Sequence, residues 1–287
     1  MKKSISQWSF PAGLTMDECM AWAKDAGFEG IEIALEEDTD GARAAMGMLT
    51  VDRVAPQAKA IRQAADRAGL GIAAVATGLL WSYPLTADDA KTRAKARRIT
   101  EALLKAGSLL GVDTALVIPG VVAAPFGPAV PPVPYEVCYE RCREAVLALL
   151  PAAQKYGVKL GLEPVWNGFL LSPMEWAQFV DSFKSPWVSV YFDVGNVLRT
   201  GFPEQWIDLL GQRISRVHVK DFKTSVGTLD GFCDLLDGDV NWPAVMAALR
   251  RVGYDGWLTA EVMPPNQYAP EHILEVNSLA LDRILAM

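Results

Sequence analysis

Ile214-Ser-Arg-Val-His-Val-Lys-Asp-Phe222 has the make-up of a β-strand and sets His218, one of only two histidines in 287 residues, beside Lys220 and Asp221. The other histidine is His272. Taken alone, a single histidine in an apolar run reads as a satisfied core residue. Three other strand ends along the chain change that reading.

Working outward from this stretch, short β-branched runs alternate with longer segments of helical period, and the helical segments end at or near a glycine. The expected strands are Ser4–Trp8, Gly30–Ala34, Gly71–Thr77, Thr114–Pro119, Leu160–Val165, Val188–Val194, Ile214–Phe222 and Leu258–Met263. Between them, helices are expected from Thr15 to Gly27, over Val51–Ala68, Ala87–Leu110 and Tyr135–Tyr156, from Ser172 to about Lys184, and over Pro203–Leu210, Trp242–Val252 and Glu271–Ile284. Thr15 with the acids behind it, and Ser172-Pro173-Met-Glu175, read as helix starts. Pro151 predicts a kink or break in the fourth helix. Eight strand–helix units of about 36 residues each fit an α/β chain folded as a single (β/α)8 TIM barrel over residues 1–287. An open doubly wound sheet is the competing topology, but no GxGxxG follows the first strand. The irregular stretch Gly120–Pro134 follows the fourth strand and is either a solvated connector or a lid over the barrel mouth.

Composition narrows the function classes. A hydrophobic fraction of 51% with 21% charged residues suits a soluble enzyme with a large core. A net charge of −7 argues against a nucleic-acid partner. No run approaches the ~18 apolar residues of a membrane span, and Met1–Phe10 lacks the apolar core of a secretion signal. Cys19, Cys138, Cys142 and Cys233 form no CxxC pair, which points to a reducing, cytoplasmic setting. Cys138 and Cys142 share a helical spacing; with no second thiol pair, burial in the core is expected of them rather than metal binding.

In a barrel the C-terminal strand ends converge on one mouth. Those ends carry Glu163 (Leu160-Gly-Leu-Glu-Pro), Asp193 (Tyr191-Phe-Asp-Val-Gly-Asn196), His218, and Glu261 (Thr259-Ala-Glu-Val). A carboxylate in an apolar strand must be neutralised, paired or bound to a cation, because burying it bare costs several kcal/mol. Three carboxylates and one imidazole make a cage for one divalent ion, with Mn2+ first and Mg2+, Co2+ or Zn2+ as alternatives. If Glu163 and Glu261 flank a substrate, one can take a proton from a carbon beside a carbonyl and the other return one, with metal stabilising the enediolate. Transfer across opposite faces inverts a stereocentre; transfer on one face shifts the carbonyl. Trp8 and Trp166 are candidates to close over a sugar's apolar face, and Arg199 is an exposed-loop arginine left outside the expected site.

The ordered set GlyPheGluGlyIleGluIle (27–33), the Glu163 strand, AspValGlyAsn (193–196), HisValLysAsp (218–221), AspGlyAspValAsnTrp (237–242) and GlyTyrAspGlyTrpLeuThrAlaGlu (253–261) resembles the xylose isomerase-like barrel superfamily. Within it the chain looks most like the L-xylulose/L-ribulose 5-phosphate 3-epimerases and hexulose-phosphate isomerase-like relatives. The resemblance implies an isomerase acting on a ketose or ketose phosphate, with Glu163, Asp193, His218 and Glu261 as metal ligands and the two glutamates as acid and base. It implies substrate contacts at Lys220, Asn196 and Glu32, and makes Asp221 a structural neighbour. A salt-bridged core role is the alternative for Glu32. Asn196 stands where free-ketose 3-epimerases carry a substrate-touching histidine, which agrees with the phosphate-sugar branch. Homodimers and homotetramers both occur among such proteins. Competing functions are a lyase dehydrating a keto-inositol or keto-glycoside on the same cage, a non-catalytic sugar-binding barrel, and a DNA-repair endonuclease, which two histidines and the charge disfavour.

Overall fold

Eight parallel strands, β1 (Lys2–Ser6), β2 (Gly30–Glu36), β3 (Gly71–Ala76), β4 (Thr114–Val117), β5 (Lys159–Leu162), β6 (Val188–Asp193), β7 (Ile214–Val219) and β8 (Trp257–Ala260), pair in chain order, and β1 pairs with both β8 and β2 to close a barrel. The computed structural model describes residues 1–127, 131–262 and 268–287. Helices α1 (Met16–Asp25), α2 (Val54–Ala68), α3 (Ala90–Leu110), α4 (Tyr135–Tyr156), α5 (Pro173–Ser182), α6 (Pro203–Leu210), α7 (Trp242–Arg251) and α8 (His272–Leu285) each follow one strand. The fold is therefore the expected (β/α)8 barrel.

Local chemistry sets most of the boundaries. Thr15 caps α1 in a reciprocal capping box with Glu18, worth about 1 kcal/mol, and Asp89 and Ser172 accept from the first turns of α3 and α5. The fourth helix is continuous, against the expected break. Pro151 lies on its exposed face, so the carbonyl of Leu147 left without a partner meets water. Cys138 and Cys142 are free and buried on that helix.

Three strands, β1, β5 and β8, begin earlier than their apolar runs suggest, and all but β2 end sooner; β2 runs on to Glu36. β1 starts at Lys2 because both lysines find partners there: Lys3 reaches Ser278 and Asp282 on α8, and Lys2 lies over Trp257. The strand at Ile214–Phe222 is divided. β7 ends at Val219, and Asp221–Phe222 turns away to pair antiparallel with Phe232–Cys233. Met263, expected at the end of the last strand, lies outside the described residues, as do 128–130 of the expected lid segment.

Trp257 closes the floor. Its ring covers Gly30 and Gly71, where a Cβ would stand 2.8 Å from the indole, so both positions require glycine for close approach rather than for backbone freedom. At the other end, a register shift between Val190 and Tyr191 places Asp193 directly opposite His218.

Candidate functional site

Four side chains meet at the carboxyl ends of β5 to β8. Asp193 is the last residue of β6, His218 the penultimate residue of β7, and Glu163 and Glu261 lie one residue past β5 and β8. Glu163, Asp193, His218 and Glu261 each offer one ligand atom, and these atoms lie within 4.8 Å of one another. His218 Nδ1 stands 2.9 Å from Glu261 Oε2, 3.4 Å from Glu163 Oε1 and 3.8 Å from Asp193 Oδ2.

Local structure prepares each ligand. Asp193 uses one oxygen to accept from the Asn196 amide, capping the short helix Val194–Leu198, and its other oxygen turns to the cage. Gly195 lets that helix lie on Lys220: a Cβ there would stand 2.6 Å from the lysine's Cβ and 3.0 Å from its carbonyl oxygen. The AspValGlyAsn motif thus positions both a ligand and its neighbouring ammonium.

Glu32 lies behind the imidazole. It is fully buried, its oxygens stand 3.0 and 3.2 Å from His218 Nε2, and it accepts a hydrogen bond from the Tyr191 hydroxyl. A carboxylate at Nε2 favours the hydrogen on that nitrogen, so that Nδ1 could give its lone pair to a cation in the cage. The geometry seen for Glu32 is the core pairing named as its alternative, on the far side of His218 from the mouth.

Lys220 also faces inward. Its Nζ is 2.7 Å from Glu261 Oε2 and 3.2 Å from Asp193 Oδ2. Burial alone would lower the ammonium's pKa, but Asp193 and Glu261 outweigh it and raise it. The same charges act in reverse on Glu261, where Lys220 and His218 overcome burial and hold the carboxyl down at about 2. Burial pushes Glu163 up to about 7 against the pull of His218, and raises Asp193 against Lys220. At His218 burial acts downward, but Glu32 and Glu261 raise the imidazole above its ordinary value.

A divalent cation fits this set. Glu163 Oε1, Asp193 Oδ2 and His218 Nδ1 are buried without a hydrogen-bond partner, all three are cage atoms, and three oxygens with one nitrogen form a donor set for a hard or borderline ion. Ion pairing within the protein leaves these atoms unsatisfied; coordination would satisfy them together.

Above the cage lies a cavity of about 250 Å³ lined in part by Trp8, Trp81, Phe126, Trp166 and Phe232, with Glu163, Asn196, Lys220 and Glu261 at its base. Trp8 sits on the turn after β1, and Trp166 donates to the Asn196 carbonyl. The Asn196 amide donates to the carbonyl of Pro164, tying two mouth loops together. Pro125 and Phe126, from the described part of the 120–134 segment, also line this cavity. Asp221 is buried outside the cage, accepting from the amides of Phe222, Leu236 and Val240 and from the Trp242 indole. The AspGlyAspValAsnTrp motif is the wrapping of that carboxylate.

Sequence reading missed Tyr191, Trp81, Phe126 and Phe232. Tyr191 was within reach, since period-two alternation puts it on the same face as Asp193. The other three stand on a short helical turn, a loop and a two-residue strand, where no period marks a direction.

Comparison with known proteins agrees with this layout. A family model described as "Xylose isomerase-like TIM barrel" matches residues 20–278. A protein of Escherichia coli (strain K12) named "Putative L-ribulose-5-phosphate 3-epimerase" is 25% identical over 275 residues, covering 92% of this chain and 88% of the relative. Among solved structures, D-psicose 3-epimerase determined in the presence of D-fructose superposes with a TM-score of 0.78 at 18% identity over the whole of both chains. The IOLI protein with a bound zinc atom gives 0.76 at 15% identity, over 100% of this chain and 98% of the other. At these identities the structural likenesses establish the fold.

Proposed function

Because the chain belongs to the xylose isomerase-like TIM-barrel family, we propose that it is a divalent-metal-dependent sugar epimerase or isomerase acting on a ketose or ketose phosphate. The observation that carries this reading is the convergence of three buried cage atoms without a hydrogen bond beneath a sugar-sized cavity. Glu163, Asp193, His218 and Glu261 would hold the ion, Mn2+ in the first place and Mg2+, Co2+ or Zn2+ otherwise. When bound, such an ion supplies Lewis-acid polarisation of the substrate carbonyl and stabilises the charge that develops on it.

The protein's own groups do the rest. One of Glu163 and Glu261 takes the proton from the carbon next to the carbonyl, and the other returns a proton to that carbon. Without an ion, burial raises the Glu163 carboxyl, while Lys220 and His218 lower that of Glu261. Lys220, bonded to Glu261, keeps that carboxylate oriented and charged. Trp8 and Trp166 lie where they can cover the apolar face of the sugar. Four free cysteines support a reducing, cytoplasmic location, and the eight strand–helix units support one domain over 1–287.

The test is isotope exchange. Glu163→Gln and Glu261→Gln should each lower exchange of the substrate's carbon-bound proton with D2O by about 10²–10⁴-fold. Retained exchange in both variants would overturn the mechanism.

A further inference from the structure

We propose that the sugar bound in this mouth is an uncharged ketose and not its phosphate ester. The inference rests on the epimerase reading above and names its substrate class.

A terminal phosphate brings a charge of about −1.5 to −2 and calls for an arginine fork, an ammonium or a similarly strong set of donors. Among the described residues lining the mouth cavity, Lys220 is the one cation, and it is engaged by Asp193 and Glu261. The undescribed segments, Pro-Ala-Val at 128–130 and Met-Pro-Pro-Asn-Gln at 263–267, contain no lysine, arginine or histidine. Arg199 is engaged next door: its guanidinium lies 4.4 Å from the centroid of the Trp166 ring and lines the adjoining cleft with Leu171 and Trp206.

The carbonyl end of the sugar must reach Glu163 and Glu261, and much of the remaining cavity wall is aromatic: Trp8, Trp81, Phe126, Trp166 and Phe232. Those rings suit the apolar C–H face of a sugar and offer a phosphate no charge.

Asn196, which by resemblance agrees with the phosphate-sugar branch, does not oppose this. Its amide is spent on the Pro164 carbonyl, so asparagine at this position has a structural account that does not involve phosphate.

The experiment compares matched pairs on the Mn2+-loaded enzyme: D-fructose with D-fructose 6-phosphate, and L-ribulose with L-ribulose 5-phosphate. Proton exchange into D2O is followed by NMR to obtain kcat/KM. In at least one pair the free ketose should exceed its ester by roughly 100-fold or more. An ester that exchanges as fast as its parent, or faster, overturns the inference while leaving the epimerase reading intact; silence from all four compounds overturns both. Phe126→Lys places a cation at the rim, on a side chain already 48% exposed. It should raise the ester-to-parent ratio by about 10-fold. An unchanged ratio would show that charge is not what excludes the ester, and would overturn the inference as well.

Discussion

Arg216 and His218 stand two residues apart on β7 and both project into the barrel, yet their polar surroundings are opposites. Arg216, on the floor side, donates Nε to the Ala73 carbonyl at 2.9 Å and Nη1 to the Ser215 carbonyl at 2.8 Å, and pairs with Asp113 at 2.5 Å. His218, on the mouth side, has one nitrogen held by Glu32 and the other facing three carboxylates without a hydrogen bond. Two residues along one strand separate a charge whose partners all come from the fold from a group awaiting a partner from solution. Barrels commonly divide this way, with stability vested in the floor and chemistry at the mouth.

The comparison can be broken most forcefully at His218. His218→Ala should lose bound metal on dialysis and lower proton exchange by roughly 10³-fold. Elemental analysis together with circular dichroism would check that the metal goes while the fold stays. A variant that kept its metal would return His218 to the status of an ordinary core residue. The far side of the ring comes next. Glu32→Gln preserves shape but removes the charge that fixes the ring, and should weaken Mn2+ affinity by about 10–100-fold in a calorimetric titration. Unchanged affinity would mean that Glu32 serves packing alone. The smallest effect on the site belongs to the floor. Arg216→Met should cost about 2 kcal/mol in urea unfolding, mainly through buried carbonyls losing a charged donor, since the Asp113 carboxylate is largely exposed. Metal affinity should stay within about twofold, because the two networks share no hydrogen-bond partner. A large loss of metal in Arg216→Met would show that floor and mouth are one network.

The four cage residues were legible because a carboxylate or imidazole late in an apolar strand has few ways to be satisfied, and strand ends in a closed barrel have one place to converge. Direction was harder to read. Lys220 was expected against substrate; its ammonium turns onto Asp193 and Glu261, a direction that residue order does not carry. Glu32 stood open between a substrate contact and a salt-bridged core residue, because no spacing within β2 or β7 reveals that it meets His218 across the barrel. Strand ends were overestimated for a similar reason. Hydrophobicity continues past Val117 and Leu162 because the mouth loops are themselves buried, not because pairing continues.

Trp257 has a consequence for how the molecule comes into being. Its ring belongs to the eighth strand, and the two bare backbones that receive it belong to the second and third. The slot at Gly30 and Gly71 is therefore made early in synthesis and filled only after more than 180 further residues have left the ribosome. Until then the young chain carries an open glycine-lined seam, and the arrival of one indole joins the two ends of the polypeptide. Closure of this barrel is thus a long-range event tied to a single late residue, with the slow, high-contact-order character that such joining imposes.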